Sequence, residues 1–405
     1  MNKVEIPLLR DHHNHLSFYG LLYGCPNLQA ITDKAEALRL LHSPAKDRVS
    51  VAIGWNTGYY RFSAEDLAPL PPVIIVNLSL HSFVLSPAAA SLLREDYPEI
   101  VANHANPQWY EAHMPQMLIF LANQMEVSEE KFNVFFDSLY RQGVYYVEDM
   151  HLANAKVLSV IRSSPFSQRT AFWTDLATFK TLSPEARAEL QGIKFFTDGA
   201  VGARTAALEH SYTDGGGGYL LFPDEMLFQQ LAEAAAFGKA VAVHAIGEKA
   251  TAQVVRTIKK LATSGMTFPM VRMEHCQFIH EATAREAKEL GIIFSMQPNF
   301  STDSTIYADR LLPWYLENNN PFRLLIDRVG FIPGEDLIFG SDGMPHGAEA
   351  ALNASLFPPF PGQKLTLEEF TAGYCMPDKT HGHIELERDD AGLKSLSVIR
   401  PAALI

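Results

Sequence analysis

Near its N-terminus the chain reads Asp11-His12-His13-Asn14-His15, directly after the apolar run Ile6-Pro7-Leu8-Leu9. Histidines spaced i, i+2 at the end of a strand project to the same side, so His13 and His15 can hold one cation from a rigid edge while His12 points the other way. A lone His-x-His is weak, because surface histidine clusters produce it often. Four further residues strengthen it: Lys194 in Gly-Ile-Lys-Phe-Phe-Thr-Asp-Gly, His244 ending Val-Ala-Val-His, His275 ending Arg-Met-Glu-His, and Asp342 ending Ile-Phe-Gly-Ser-Asp. By ligand type, His13, His15 and Asp342 can bind one divalent cation and His244 with His275 a second. Each has a plainer reading alone: a strand-end His is commonly a hydrogen-bonded structural residue, Lys194 could pair with Asp198, and Asp342 could cap a helix. Their conjunction is harder to explain that way.

The elements that must position these groups are short apolar runs alternating with helical patterns. The expected strands are Glu5 to Arg10, Gly143 to Asp149, Thr170 to Asp175, Gly192 to Thr197, Ala240 to His244, Val271 to His275, Gly291 to Gln297 and Asp336 to Asp342. Amphipathic segments such as Met226 to Phe237, Glu248 to Ala262 and Ala282 to Leu290 lie between them. Strand then helix, repeated eight times, predicts an α/β fold closed into a (β/α)8 TIM barrel, with an open doubly wound sheet as the alternative. In a barrel the candidate residues fall at or near the C-terminal ends of strands one, four, five, six and eight, on the face where active sites are built.

Residues 16–142 break that rhythm. They hold two more apolar runs, Val49 to Gly54 and Val73 to Leu78, and helical stretches around Ala88 to Leu93 and Met114 to Asn123. The expectation is a long insertion after strand 1, an α/β lobe over the barrel mouth, with the barrel itself formed by residues 1–15 and 143–378. Residues 379–405 read as an ill-defined C-terminal tail, and Gly215 to Gly218 as a flexible loop or linker.

Composition narrows the class. With 405 residues and 47% hydrophobic content the chain can bury a large core, and a net charge of -13 argues against binding nucleic acid or an anionic membrane. Three cysteines, Cys25, Cys276 and Cys375, are too few and too far apart for a disulfide framework. The N-terminal stretch lacks a secretory signal, so a cytoplasmic protein is expected.

The stretches 194–208, His-Ala-Ile-Gly-Glu-Lys-Ala (244–250), Arg-Met-Glu-His-Cys-Gln (272–277), Met-Gln-Pro-Asn-Phe (296–300) and Gly-Ser-Asp (340–342) resemble the amidohydrolase superfamily of metal-dependent hydrolases. They are most similar to the YtcJ-like branch, which includes N-substituted formamide deformylase, and Leu-His-Ser-Phe-Val-Leu-Ser (80–86) resembles a segment of that branch's insertion. The resemblance implies His-x-His on strand one, a Lys on strand four, His on strands five and six, and Asp on strand eight. It further implies that Lys194 is carbamylated by CO2 into a bridging carboxylate-like group, with a single-metal site and unmodified lysine as the fallback. Relatives usually carry a small β-sandwich built from both chain ends; here it is expected to be reduced or absent.

The implied activity is hydrolysis of an amide or related C-N bond, not a peptide bond, in a small molecule. One or two divalent cations, zinc foremost, would acidify the attacking water, with Asp342 as the proton shuttle. His81, Arg204 and Gln297 are candidates to bind substrate, and Gln297 with Arg272 and Glu274 can equally orient the histidines. Trp55, Tyr59, Tyr60 and Phe83 could line an apolar pocket. A nucleobase-type deaminase on the same scaffold is the alternative, but it would place a Glu three residues after His244, where position 247 is Gly. A non-catalytic barrel is the remaining reading, and a homo-oligomer is possible.

Overall fold

A computed structural model describes residues 2–42, 48–78, 80, 82–389 and 392–401. In chain order its strands are β1 (Asn2–Pro7), β2 (Leu9–Asn14), β3 (Ser50–Trp55), β4 (Val73–Asn77), β5 (Phe83–Leu85), β6 (Val144–Asp149), β7 (Thr170–Asp175) and β8 (Leu190–Phe196). They continue with β9 (Ala240–Ala245), β10 (Val271–His275), β11 (Ile293–Met296), β12 (Leu337–Phe339), β13 (His383–Asp389) and β14 (Gly392–Ile399). The chain divides into two compact units, residues 1–16 with 133–405 and residues 17–132.

The larger unit contains an eight-stranded sheet in the order β12-β11-β10-β9-β8-β7-β6-β2. Every neighbouring pair in it is parallel. Its strands are apolar on both faces, as in Ala-Val-Ala-Val-His-Ala of β9, where all six residues are buried; this is the composition that helices covering a parallel sheet require. Between strands run helices such as Ala155–Ser163, Asp224–Ala235 and Glu248–Thr263.

The end strands meet beyond β12, where Asp342 N donates to His13 O at 2.7 Å and Ser341 N to the Asp11 carboxylate at 2.8 Å. A side chain at Gly340 would put its Cβ 2.3 Å from the His13 nitrogen, so closure needs glycine there. The (β/α)8 architecture is therefore nearly closed, as expected.

Strand one differs from the expected Glu5 to Arg10. The chain changes sheets after Pro7: β1 pairs antiparallel with β13, whereas β2 pairs parallel with β6. β13 pairs in turn with β14, so the segment read as an ill-defined tail forms two strands of a three-stranded sheet. That sheet is the reduced counterpart of a sandwich, and Ile6, Ile384 and Leu386 are its buried side chains.

The smaller unit carries a mixed sheet, β3-β4-β5. Val51, Ile74, Val76 and Phe83 pack on one of its faces with Tyr110, Met117 and Phe120, while Ala52, Trp55, Val73 and Ile75 pack on the other with Leu41, Tyr60 and Leu70. Trp55, Tyr60 and Phe83 are thus core residues of this unit, while Tyr59 is exposed. The helices Pro87–Leu93 and Met114–Asn123 lie close to where the sequence puts them.

Candidate metal centre

His13 is the next-to-last residue of β2, His275 ends β10, and Asp342 follows β12. Strand geometry brings them together: one candidate ligand atom from each of His13, His275 and Asp342 lies within 4.8 Å of the others. His15 joins at the rim, its Nε2 3.1 Å from Asp342 Oδ1, and His244 stands beside His275 with ring centroids 4.4 Å apart. The expected division into a His13–His15–Asp342 site and a His244–His275 site is therefore less sharp than ligand type suggests.

Three of these imidazoles are pinned by acceptors on the side away from the centre. Glu274 accepts from His13 Nδ1 at 2.6 Å and Gln297 Oε1 from His275 Nδ1 at 2.7 Å. The Gly199 carbonyl accepts from His244 Nε2 at 3.1 Å. Each acceptor fixes its ring's N–H on the outer nitrogen and leaves a lone pair on the other, which is the tautomer a metal ligand needs.

Electrostatics favours the same state. Burial, reinforced by the Lys194 charge, holds the His13 pKa well below the ordinary imidazole value; burial and His244 do the same to His275. Burial alone would raise Asp342, but His13, the hydrogen bond from His15 and the Lys194 charge together outweigh it and hold the carboxyl at about 2. Neutral imidazoles beside an ionised carboxylate are competent donors.

Two of the ligand candidates sit in left-handed backbone, His275 at φ 72 and Asp342 at φ 56. Such strain costs roughly 1–3 kcal/mol per residue and concentrates at functional sites. It is held in place by Cys276 N on Ala245 O at 3.0 Å and by the Asp342 bond to His13.

Lys194, in β8, is buried, and its Nζ has no hydrogen-bond partner among the described residues. Burial lowers its pKa to about 8 against the pull of Glu274 and Asp342. His15 Nδ1 is another buried nitrogen with no hydrogen-bond partner among the described residues. Unsatisfied buried donors and acceptors are rare in folded proteins and point to a missing partner such as an ion.

The sequence profile of the amidohydrolase family matches residues 2–349. The chain is a member of the amidohydrolase family. Among its relatives is Protein LONG AFTER FAR-RED 3 of Arabidopsis thaliana, 24% identical over 349 residues, covering 74% of this chain and 60% of that protein. Another is the protein named as amidohydrolase YtcJ of Bacillus subtilis strain 168, 33% identical over 126 residues, covering 30% of this chain and 23% of that one. The chain thus spans less than two thirds of either relative's length.

Two solved structures share the fold of this amidohydrolase. An uncharacterized metal-dependent hydrolase from Pyrococcus horikoshii OT3 superposes with a TM-score of 0.67 at 22% identity, covering 88% of this chain and 75% of that one. One from Pyrococcus furiosus gives 0.66 at 19% identity, covering 91% and 81%.

The remaining sequence candidates fall in varied places. Gln297 is fully buried, with Oε1 on His275 and Nε2 on Ser295 O at 3.3 Å, so in this structure it orients His275. Arg204 is half-exposed and ion-paired to Asp214 at 2.9 Å. His81 lies outside the described residues. The Gly215 to Gly218 run is neither a free linker nor a flap: Leu208 N donates to Gly217 O at 3.0 Å, and Gly218 at φ 68 packs so tightly on the Ala206 carbonyl that a Cβ would not fit. Asp198 makes no pair with Lys194. Its carboxylate accepts from the backbone of Ala207, Ile246 and Gly247 at 2.9, 3.0 and 2.9 Å and tethers the loops after β8 and β9.

Asp11 is the residue that sequence reasoning missed. Its buried carboxylate accepts from Asn14 Nδ2 at 2.8 Å, from His13 N at 3.3 Å, and from both the amide and the hydroxyl of Ser341. It thereby ties the His-x-His turn to the residue before Asp342. Its signal in the sequence is its place at the head of the Asp-His-His-Asn-His motif. Behind His13, Arg272 and Glu274, read from the sequence as orienting the histidines, are joined by Glu148 and His12. Arg272, fully buried, binds Glu274 at 2.9 Å and Glu148 at 2.6 Å, and Glu148 also takes His12 at 2.9 Å. His12 thus serves the support and not the centre.

Proposed function

We propose that this amidohydrolase is a metal-dependent enzyme that cleaves an amide or related C-N bond of a small molecule. The observation that carries the reading is the set of neutral, outwardly pinned histidines around an ionised Asp342, with their donor atoms within bonding reach of one divalent cation. His13, His275 and Asp342 would hold that cation, with His15 and His244 completing the set or serving a second ion; zinc fits nitrogen-rich donors best. The bound cation supplies Lewis acidity and brings the ionisation of a water toward neutral pH.

The residues' own work follows from their positions. Asp342, kept ionised, accepts the water's proton at its carboxylate and passes it to the leaving nitrogen. Lys194, with an amine pKa of about 8, has a substantial neutral fraction, and that amine can add CO2 to give a carbamate and release a proton. The resulting anion would bridge two cations, which an ammonium cannot do. Arg272 and Glu274 keep His13 in its tautomer. Arg204 and His81 are retained as substrate-binding candidates, and the substrate is met in the cytoplasm.

A panel of N-acyl amines, formamides and cyclic amides, offered to the zinc-loaded protein, tests the reading. Amine release that stops on chelation and returns with zinc is expected; turnover that survives both chelation and His244→Ala would refute it.

A further inference from the structure

The ligand candidates come from β2, β8, β9, β10 and the end of β12. Two neighbouring strands, β6 and β7, contribute none, yet their C-terminal ends carry an ionisable pair that the chemistry above leaves unused. His151, just after β6, faces Asp175, the last residue of β7, with Nε2 3.4 Å from Oδ2. Asp175 spends Oδ1 capping the helix Leu176–Thr181 through Thr178 N at 3.0 Å. Its Oδ2 is buried and faces the His151 ring nitrogen.

A role in joining the strands does not account for this pair. Leu152 N already donates to Trp173 O at 2.7 Å and Thr174 Oγ1 to Leu152 O at 3.3 Å, so the two segments are clamped without it. Burying a carboxylate beyond that need is costly. The pair also stands close to the centre. Asp175 is the register partner of Lys194 across the β7–β8 ladder, while the Lys194 amine is turned toward the charges of Glu274 and Asp342. The Phe196 ring lies 6.4 Å from His151 and 5.4 Å from His244, an apolar wall between the pair and the histidines.

We propose that Asp175, steadied by His151, binds a hydrogen-bond-donating or positively charged group of the substrate, set back from the bond that is cleaved. The inference rests on the hydrolase reading. Two carboxylates, Asp175 and Asp149, flank His151, the latter accepting His151 N at 3.3 Å. An anionic substituent there meets repulsion, and an amine meets a charge-assisted hydrogen bond. The net charge of -13 on the whole chain biases encounter the same way. The substrate class is therefore an N-acyl amine bearing a second amine, in preference to an N-acyl amino acid.

Three near-isosteric probes test it: N-acetylethylenediamine, N-propylacetamide and N-acetylglycine. Binding to the full-length zinc-loaded protein is measured by calorimetry, and turnover in parallel. The wild type is expected to bind the diamine about tenfold more tightly than the propyl amide, and N-acetylglycine most weakly. Asp175→Asn should erase the diamine advantage and relieve the penalty on N-acetylglycine, at unchanged zinc content. His151→Gln should shrink the advantage while keeping the order. A wild type without the preference, or an Asp175→Asn variant that keeps it, overturns the proposal. If Asp175→Asn does not fold, the wild-type order and the His151→Gln ratio decide. Absence of turnover on every amide tried, with the binding order intact, refutes the hydrolase reading and not the subsite.

Discussion

Arg272→Met removes the cation on which the support of His13 depends. Arg272 is buried and bonds to Glu148, to Glu274, to His12 O at 2.7 Å and to Ser295 Oγ at 2.9 Å. Methionine fills much of its volume but removes the cation that Glu148 and Glu274 share, leaving Glu148 with Arg10 at 3.4 Å and His12 at 2.9 Å. Removing one partner of a buried pair costs about 3–5 kcal/mol, and a partner shared by two carboxylates puts the variant near 5 kcal/mol at pH 8.

The pH dependence follows from the signs. Burial pushes both carboxyls up, and Arg272 reverses this, so that Glu148 and Glu274 lie below their ordinary value of 4.5 in the wild type. Depressed carboxyls contribute stability that is present above that value and is lost as pH falls below it. In the variant the largest cause of the depression is gone, and burial raises them. A carboxyl raised in this way takes up a proton as pH falls and so returns part of the cost. Urea unfolding of both proteins at pH 8, 6.5 and 5 measures the gap. It should narrow as pH falls; a gap below about 1 kcal/mol, or one independent of pH, would show that Arg272 does not neutralise this pair.

Three further outcomes follow from single residues. Lys194→Ala should lose bound metal and recover part of it with short carboxylic acids; metal content equal to that of the wild type removes the bridging role. Gly192→Ala places a Cβ 2.3 Å from both the Ala240 carbonyl and the Trp173 ring, so thermal unfolding should show a loss of at least about 1–3 kcal/mol, and an unperturbed melt would mean that β8 has slack beside Lys194. Asp11→Ala unties Ser341 from the His-x-His turn and should weaken zinc affinity about 10–100-fold in chelator competition, whereas unchanged affinity would make Asp11 merely structural.

What was legible in the sequence were features with a local signature. β9 and β10 are short apolar runs ending in His, and their bounds lie within a residue of those expected. The centre was readable because its residues are chemically unusual at strand ends. The support was harder to see: Glu148 and Arg272 are 124 residues apart, and only barrel closure makes them neighbours. Strand one was misplaced because Ile6-Pro7-Leu8-Leu9 is continuously apolar, and hydropathy carries no mark of a strand that changes sheets at Pro7. The C-terminal hairpin did leave a signal, the alternation His-Ile-Glu-Leu-Glu with Ile384 and Leu386 buried, but a period-two pattern in so charged a stretch resembles a solvated tail. Asp175 reads as an ordinary helix cap, and only the structure shows its second oxygen facing His151.

The central claim is that His13, His275 and Asp342 hold a divalent cation. Crystals of the full-length protein grown with zinc and measured at the zinc absorption edge test it most directly. The account predicts an anomalous peak bounded by these three residues, and its loss, together with stoichiometric zinc in solution, in His275→Ala. No peak there in protein saturated with zinc, or an undiminished peak in His275→Ala, would contradict it.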